Sequence, residues 1–481
     1  MRKEENYLPK SKFLRFFVRI GRFFKRLALG IAKGCVTYVK RFIDGSVGTK
    51  VTHVIMGFGN FWHKQIVKGL IFLALESGFL YLMIFSPEVN HTPIGGKAIA
   101  NLITLGTTTG DVSSFGDNSM LMLLFGVVTW GIIIMFLFAY FSAIKSSYKA
   151  DLDVRNGKKP SSFKEDIKDL LDGRFHVAML TPAIIGIVVF TVLPTIFMIL
   201  IAFTNYDSQH LPPGQLFSWV GFENFVAIFV GSGEISARFG PVLGWTMIWA
   251  FFATFTCYIG GILLALLINN KHIKMKKAWR TVFVMTIALP QFISLLAVRE
   301  LLSVNGPFNS ILKTLGITTT GIEFLGNADN AWTARIMVIL INLWVGIPYT
   351  MLMTTGILMN VPKELYEAAE IDGANKRQIF HNITVPYILF VTAPYLITSF
   401  IGNITSFNII YLLTGGSPTV SGGYIAGATD LLVTWLYKLT IDNTEYSTGA
   451  VISIMTFIIT ASVTLISYRR TKTYKEEDAF Q

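Results

Sequence analysis

Charge is scarce in this sequence. Asp, Glu, Lys and Arg make up 15% of its 481 residues, where a soluble domain carries about 25%, and the acids are the scarcer class at 29 against 41 basic residues. Cysteine is nearly absent: Cys35 and Cys257 are too few for a disulfide framework, a cysteine-rich zinc site or an iron–sulfur cluster. No Gly-x-x-x-x-Gly-Lys-Ser/Thr occurs. Gly96-Lys97 and Gly157-Lys158 lack both the upstream glycine and the hydroxyl residue, so the chain is not expected to bind ATP through a phosphate-cradling loop. No His-Glu-x-x-His occurs either. The seven histidines are scattered, and the nearest regular pair, His53 and His63, stands ten residues apart in a basic leader where solvated rings are expected rather than metal ligands. No period of 20 to 50 residues marks a repeat array. The first long apolar run begins near Ile66, too far in for a cleavable signal peptide.

Apolar residues are abundant. They make up 52% of the chain, the mean hydropathy is +0.54, and eight runs approach the roughly 20 residues that a bilayer core demands: 66–85, 120–141, 177–203, 243–268, 281–302, 335–358, 387–413 and 449–467. This predicts an all-α polytopic membrane protein with eight transmembrane helices, in place of the three or so soluble domains that the length would otherwise suggest. With the N-terminus inside, the cytoplasmic segments hold 34 of the 41 Lys and Arg. The outside loops hold only Lys97, Arg238, Lys313 and Lys438, so both termini are expected in the cytoplasm. The net charge of +12 then reflects topology and calls for no nucleic acid.

Ahead of the first span, Lys12, Arg15, Arg19, Arg22, Arg26 and Lys33 recur at helical spacing opposite Phe13, Phe16, Phe17, Ile20, Phe24 and Leu27. This reads as a basic amphipathic helix lying on the anionic inner leaflet, with a disordered basic leader as the alternative. Ser162 and Glu165 have capping-box spacing before a short charged helix. The outside segment 204–242 is polar and turn-rich, with Trp219 and Phe222 as interfacial or docking aromatics. Glu76 is the one acid well inside a span. An isolated carboxylate is too little for a proton relay, so structural pairing is expected, with Lys68 or a partner chain.

Residues 362–386, between the sixth and seventh runs, carry the most information. Pro362 suits a first helical position, Lys363 to Ile371 is a strong helix former, Gly373 supplies a stop and Pro386 launches the next span, giving two short helices and a turn. Ala368 and Ala369 leave a thin helix surface that fits a cleft in another protein, beside Glu367, Glu370 and Asp372, which can pair with basic groups there. A connector capping the cytoplasmic end of a bundle fits the same physics. The residues themselves, Glu367-Ala368-Ala369, Asp372-Gly373-Ala374, Phe380, Ile383-Thr384 and Pro386, resemble the EAA loop of binding-protein-dependent ABC importer membrane subunits. The resemblance implies the type I permease fold of such importers and a coupling helix that docks into an ATPase subunit.

The likeness extends over roughly residues 177–470. Leu412-Leu413-Thr414-Gly415-Gly416-Ser417-Pro418, Thr429-Asp430-Leu431-Leu432-Val433 and Asn342-x-Trp344-x-Gly346-x-Pro348-Tyr349 are similar to the larger membrane subunit of maltose/maltodextrin importers. It implies a six-helix core over 177–470, preceded by a leader (1–65) and two accessory spans with their cytoplasmic loop (66–176) and followed by a cytoplasmic tail (471–481). Partners implied are a second homologous permease, two ATPase subunits that carry the ATP and Mg, and an extracellular sugar-binding protein; this chain would hold no cofactor and no metal. One departure is the outside segment before the fourth span, about 35 to 40 residues long, where enterobacterial members carry a large folded insertion.

A sugar offers hydroxyl edges and apolar ring faces, so a site within the membrane needs aromatic platforms beside uncharged donors and acceptors. Ser399, Asn403 and Ser406 share one helical face, and Trp344, Gly346 and Tyr349 add rings and a close backbone approach. Interhelical hydrogen bonding and aromatic packing account for the same spacing. The resemblance adds Val345 and Gly402 as sugar-contacting positions. Gly402 and Ser406 depart from the bulky aromatic and the amide expected there. Gln291 and Ser294, beside Pro290, are further candidates. Rival readings are galacto-oligosaccharide or glycerol phosphate import, an ion-coupled secondary transporter, which needs paired intramembrane acids, and a membrane enzyme, which needs clustered His, Asp or Cys.

Overall fold

The structure is a computed structural model that describes residues 12–109, 116–270, 272–327, 329–420 and 426–469. The expected cytoplasmic tail at 471–481 lies outside the described residues. Packing divides the chain into two compact units: Met1–Phe197 with Pro212–Leu216, and Met198–Leu211 with Phe217–Gln481.

In the first unit the backbone is helical over Lys12–Asp44, further than the expected amphipathic stretch. The side chains at 12–20 and at Phe23, Phe24 and Leu27, which carry much of the two-faced pattern, lie outside the described residues. The rest of the leader is folded. Helix Val47–Thr52, capped by Ser46, and helix Phe58–Trp62 pack on the long helix Ser119–Arg155. A buried polar network fixes them: the Ser46 amide donates to Asp151 (2.5 Å), the Thr49 and Ser147 hydroxyls pair at 3.0 Å, and Asn60 Nδ2 donates to Gln65 Oε1 (2.7 Å) and Ser146 Oγ (3.0 Å).

Two expectations are corrected by this network. His53 and His63 are not solvated. Nε2 of His63 lies 3.3 Å from buried Asp151, while the His53 ring packs edge-on against Tyr38 and Phe42. Glu76, in the first span (Ile66–Phe85), does not pair with Lys68: its carboxylate accepts from the Met56 amide (2.8 Å), whereas Lys68 forms an ion pair with Asp166. The leader thus uses the span's only acid to pair a backbone donor at Met56. The capping box at Ser162 is formed. The Ser162 amide donates to Glu165 Oε2 (2.7 Å) and the Glu165 amide to Ser162 Oγ (3.3 Å), opening helix Phe163–Leu171.

Among the described residues, seven helices are long and apolar enough to cross a membrane: Ile66–Phe85, Ser119–Arg155, Phe175–Ile201, Glu234–Asn269, Ala331–Met359, Lys376–Ile404 and Tyr446–Tyr468. The expected fifth span is not one helix. Lys276–Ala288 and Gln291–Leu301 meet at 92°, because Pro290 has no N–H to donate and drives Leu289 into extended backbone (φ −76°, ψ 132°). Counted as one broken span, the pair makes eight. The seventh span differs more. It does not start at Pro386 but runs from Lys376, where Asn375 and Gln378 form a capping box, through a π-helical turn at Phe380–Thr384. It ends at Ile404, and Asn408–Leu413 is a separate short helix. A core of Trp245, Trp249, Leu295, Val338, Ile410 and Leu431 holds the second unit together.

Candidate transport site and coupling helix

The seventh span (Lys376–Ile404) and the sixth (Ala331–Met359) meet through aromatic rings. Tyr349 and Tyr395 lie 5.8 Å apart between centroids, and the Tyr395 and Thr350 hydroxyls pair at 3.3 Å. From Tyr395 the helical face continues through Ser399, Gly402 and Asn403 to Ser406 just beyond the helix end. Asn403 cross-links to the fourth span (Glu234–Asn269): its Nδ2 donates to Thr254 Oγ1 (2.9 Å) and its carbonyl accepts from Trp249 Nε1 (3.2 Å).

The hydroxyls on this face behave unlike those around them. Thr392, Thr398 and Thr405 each turn back onto the carbonyl four residues earlier. Ser399 and Ser406 are half-buried, and among the described residues neither hydroxyl makes a hydrogen bond, nor does the carboxamide oxygen of Asn403. Two hydroxyls and an acceptor oxygen, uncharged and uncommitted, therefore stand beside a tyrosine pair. Gly402 is exposed with open space around it, so the face is wide at that level.

Not all the expected residues gather here. Trp344 lines an apolar groove of about 520 Å³ with Gly260, Phe283, Thr286 and Ile347, away from the Tyr349 face. Val345 packs on the core cluster. Gly346 presses on Cys257 of the fourth span, where a Cβ would lie 2.6 Å from the sulfur. Gln291 and Ser294 open the second half of the broken fifth span, both half-buried. Tyr395 and Thr254 were not singled out by the sequence. Tyr395, four residues before Ser399, was accessible to the same spacing argument; Thr254 was not, since only the packing of two spans brings it to Asn403.

The 362–386 loop forms helix Lys363–Ile371. Glu367, Ala368, Glu370 and Asp372 are exposed, and Ile371 is 86% exposed beside them. Gly373 takes φ +79°, a left-handed conformation that ends the helix, with its amide donating to Glu370 (3.1 Å) and that of Ala374 to Ala369 (2.9 Å). Tyr366 faces inward, its hydroxyl 3.2 Å from that of Thr384. The helix is thus pinned on one side and bare on the other.

Residues 257–472 match the family of binding-protein-dependent transport system inner membrane components. Over 88% of this chain and 96% of the relative, it is 37% identical to the maltodextrin transport system permease protein MalC of Streptococcus pneumoniae. The chain belongs to this permease family. The permease is also 34% identical to the galactooligosaccharides transport system permease protein GanP of Bacillus subtilis, over 88% of its own length and 97% of the relative. The maltose/maltodextrin transport system permease protein MalF of Escherichia coli is 31% identical over 56% of this chain and 52% of the relative. Among solved structures, that of a bacterial ABC transporter involved in the import of the acidic polysaccharide alginate aligns with a TM-score of 0.52 and 25% identity, over 64% of this permease and all of that chain. The permease has the type I ABC importer fold, seen with the bent pair as an eighth span, and is an inner membrane component of a binding-protein-dependent transport system.

Proposed function

We propose that this permease imports maltodextrins, working with a second homologous permease, two ATPase subunits that bind the ATP and Mg, and an extracellular sugar-binding protein, with both of its termini in the cytoplasm. The observation that carries the sugar reading is the face of uncommitted Ser399, Asn403 and Ser406 oxygens beside Tyr349 and Tyr395. Hydroxyl edges of a glucan would satisfy the oxygens, and a ring face would lie on a tyrosine. The absence of a cation on that face argues against a phosphorylated ligand. Glu367, Ala368, Ala369, Asp372, Gly373 and Ala374 form the coupling surface: closure of the ATPase dimer moves this helix, and alternating access about the face follows. The name of the MalC relative, at 37% identity, supports maltodextrin. A galacto-oligosaccharide is the second reading, supported by the GanP relative at nearly equal similarity.

Uptake of labelled maltotriose, against a labelled galacto-oligosaccharide, by cells carrying the assembled importer tests both readings. Selective maltotriose uptake that Asn403→Leu abolishes is expected. Uptake of galacto-oligosaccharide alone would overturn the substrate, and full maltotriose uptake by the variant would overturn the site. Glu367→Lys is expected to leave insertion intact and uncouple ATP hydrolysis from transport; full transport by it would overturn the coupling surface.

A further inference from the structure

The first unit contains a polar cavity, remote in sequence from the transport face. It has a volume of about 400 Å³ and lies among the start of the first span (Ile66–Phe85), the cytoplasmic half of helix Ser119–Arg155 and the short helix Phe163–Leu171. Its lining is two-sided. One side is polar and basic, with Lys68, Lys145, Lys149 and Arg174 against Asp153 and Asp166, and with serine hydroxyls between them. The other is apolar: Ile71 and Phe72 on the span, and Phe163, Ile167 and Leu170 on the short helix.

The four cations are not equivalent. Lys68 is buried and committed, paired with Asp166 and donating to the Ser161 carbonyl at 3.1 Å. Arg174 is held by Asp169 at 2.6 Å. Lys145 and Lys149, four residues apart on one helical face and exposed, form no ion pair among the described residues. The fixed pairs build the floor, and two ammonium groups stand on the wall above it.

Depth decides what fits. Lys68 sits in the first turn of a span whose residues from Gly69 to Phe85 are apolar apart from Glu76 and Ser77, so the cavity lies at the level where hydrocarbon gives way to charge. A ligand filling it needs an anionic group for Lys145 and Lys149 and an apolar part for Ile71 and Phe72. A free anion satisfies only the first requirement, an acyl chain alone only the second. We propose that this cavity is a binding site for the headgroup of an anionic phospholipid of the inner leaflet, its phosphodiester between Lys145 and Lys149 and its chains along the first span; the choice of leaflet rests on the orientation proposed above. Basic pockets beside spans on the cytoplasmic side recognise anionic headgroups by this chemistry.

Native mass spectrometry of the purified full complex tests it, with phosphatidylglycerol, phosphatidylcholine or inorganic phosphate added to the detergent solution. The wild type is expected to retain phosphatidylglycerol and not phosphatidylcholine, and millimolar inorganic phosphate is expected not to displace it. Lys145→Gln with Lys149→Gln is expected to weaken retention about thirtyfold, as loss of two interfacial cations implies. Lys164→Gln with Lys168→Gln removes the same charge from the same unit outside the cavity lining and is expected to leave retention unchanged. Equal loss in both double variants would show delocalised attraction and overturn the site, as would wild-type retention by the cavity variant. Displacement by inorganic phosphate would assign the cavity to a free anion and overturn the lipid.

Discussion

Gly346 has two readings, and one substitution separates them. As a sugar-site residue it lets a pyranose approach the backbone; as a packing residue it lets the sixth span lie against the fourth. The geometry favours packing. A Cβ built on Gly346 would lie 2.6 Å from Cys257 Sγ and 3.1 Å from Cys257 Cβ, where unstrained heavy-atom contacts lie near 3.5–4.0 Å. Gly346→Ala therefore forces the two spans apart by about 1 Å at that level, or turns Cys257 away from the Asn342 carbonyl it faces at 3.5 Å. Overpacking of this kind costs about 1–3 kcal/mol. Denaturant titration of the purified permease should show the loss. Cys257→Gly removes both clashing atoms, so the double variant should regain much of what Gly346→Ala costs, with a coupling energy of about 1 kcal/mol or more. Strictly additive effects would refute the reasoning. An unchanged stability with lowered maltotriose uptake would return Gly346 to the sugar.

The buried pair of Asp430 and Lys438 in the second unit should behave as a unit. Asp430 is fully buried, with Lys438 Nζ at 2.7 Å and further hydrogen bonds from the Gly427 amide and the Thr434 hydroxyl; burial pushes its carboxyl above the ordinary range against the pull of Lys438. Lys438→Met should cost about 3–5 kcal/mol in the same titration by stranding a carboxylate, and Asp430→Asn added to it should recover part; wild-type stability of the single variant would sink the idea. Asp117 has the opposite balance: burial raises its pKa, but the Thr107 and Thr108 amides at 2.8 and 3.0 Å and the Thr108 hydroxyl outweigh it and hold the value below 3.8. A depressed folded value means that its contribution is fully present above the unfolded pKa and is lost as pH falls through the folded one. Hydrogen exchange at Thr107 and Thr108 should thus stay protected from pH 7 to 5, and earlier loss would refute the assignment.

What could be read from the sequence divides by physical cause. Span existence was readable because a bilayer core demands some 20 apolar residues whatever the fold, and the ends at Ile66, Phe85, Met359 and Tyr468 fall within a residue or two of the apolar runs. Breaks were not. Pro290 sits in an apolar run that hydropathy counts as continuous, and the Asn375–Gln378 capping box lies in a polar stretch where the helix that will enter the membrane has already begun. The face of Ser399, Asn403 and Ser406 followed from period alone. Which neighbour each residue meets did not: Asn403 meets Thr254, and Gly346 meets Cys257, through a pairing of spans four and six, and four and seven, that no local pattern encodes. The leader misled for a related reason. Its histidines look solvated until Asp151, far along the chain, is folded against His63, and Tyr38 and Phe42 against His53.

Because the seventh span begins at Lys376 and not at Pro386, the proposed coupling surface and the proposed sugar face lie at the two ends of one helix. Lys376–Ile404 has 29 residues, about 43 Å at 1.5 Å per residue, and the Tyr366–Thr384 hydroxyl contact ties the Glu367 helix to its lower third. A displacement at Glu367 then reaches Asn403 through a single rod, provided that the angular register between the ends is fixed. The π-helical turn at Phe380–Thr384 bears on that register, since a π turn holds one residue more than the α turn it replaces and leaves the helix on either side in phase. Deleting His381, which is exposed, should let the turn revert to α-helix with both ends still in register, and maltotriose uptake should stay as in the wild type. Deleting Phe390, exposed in the α-helical stretch, should rotate Lys376 and the Glu367 helix against Asn403 by about 100°, with a shift of about 1.5 Å. That deletion should insert normally yet lose maltotriose uptake while basal ATP hydrolysis by the complex persists. If it transports as well as the His381 deletion, the helix is not a rod that links the two surfaces, and Asn403 is moved from elsewhere in the bundle.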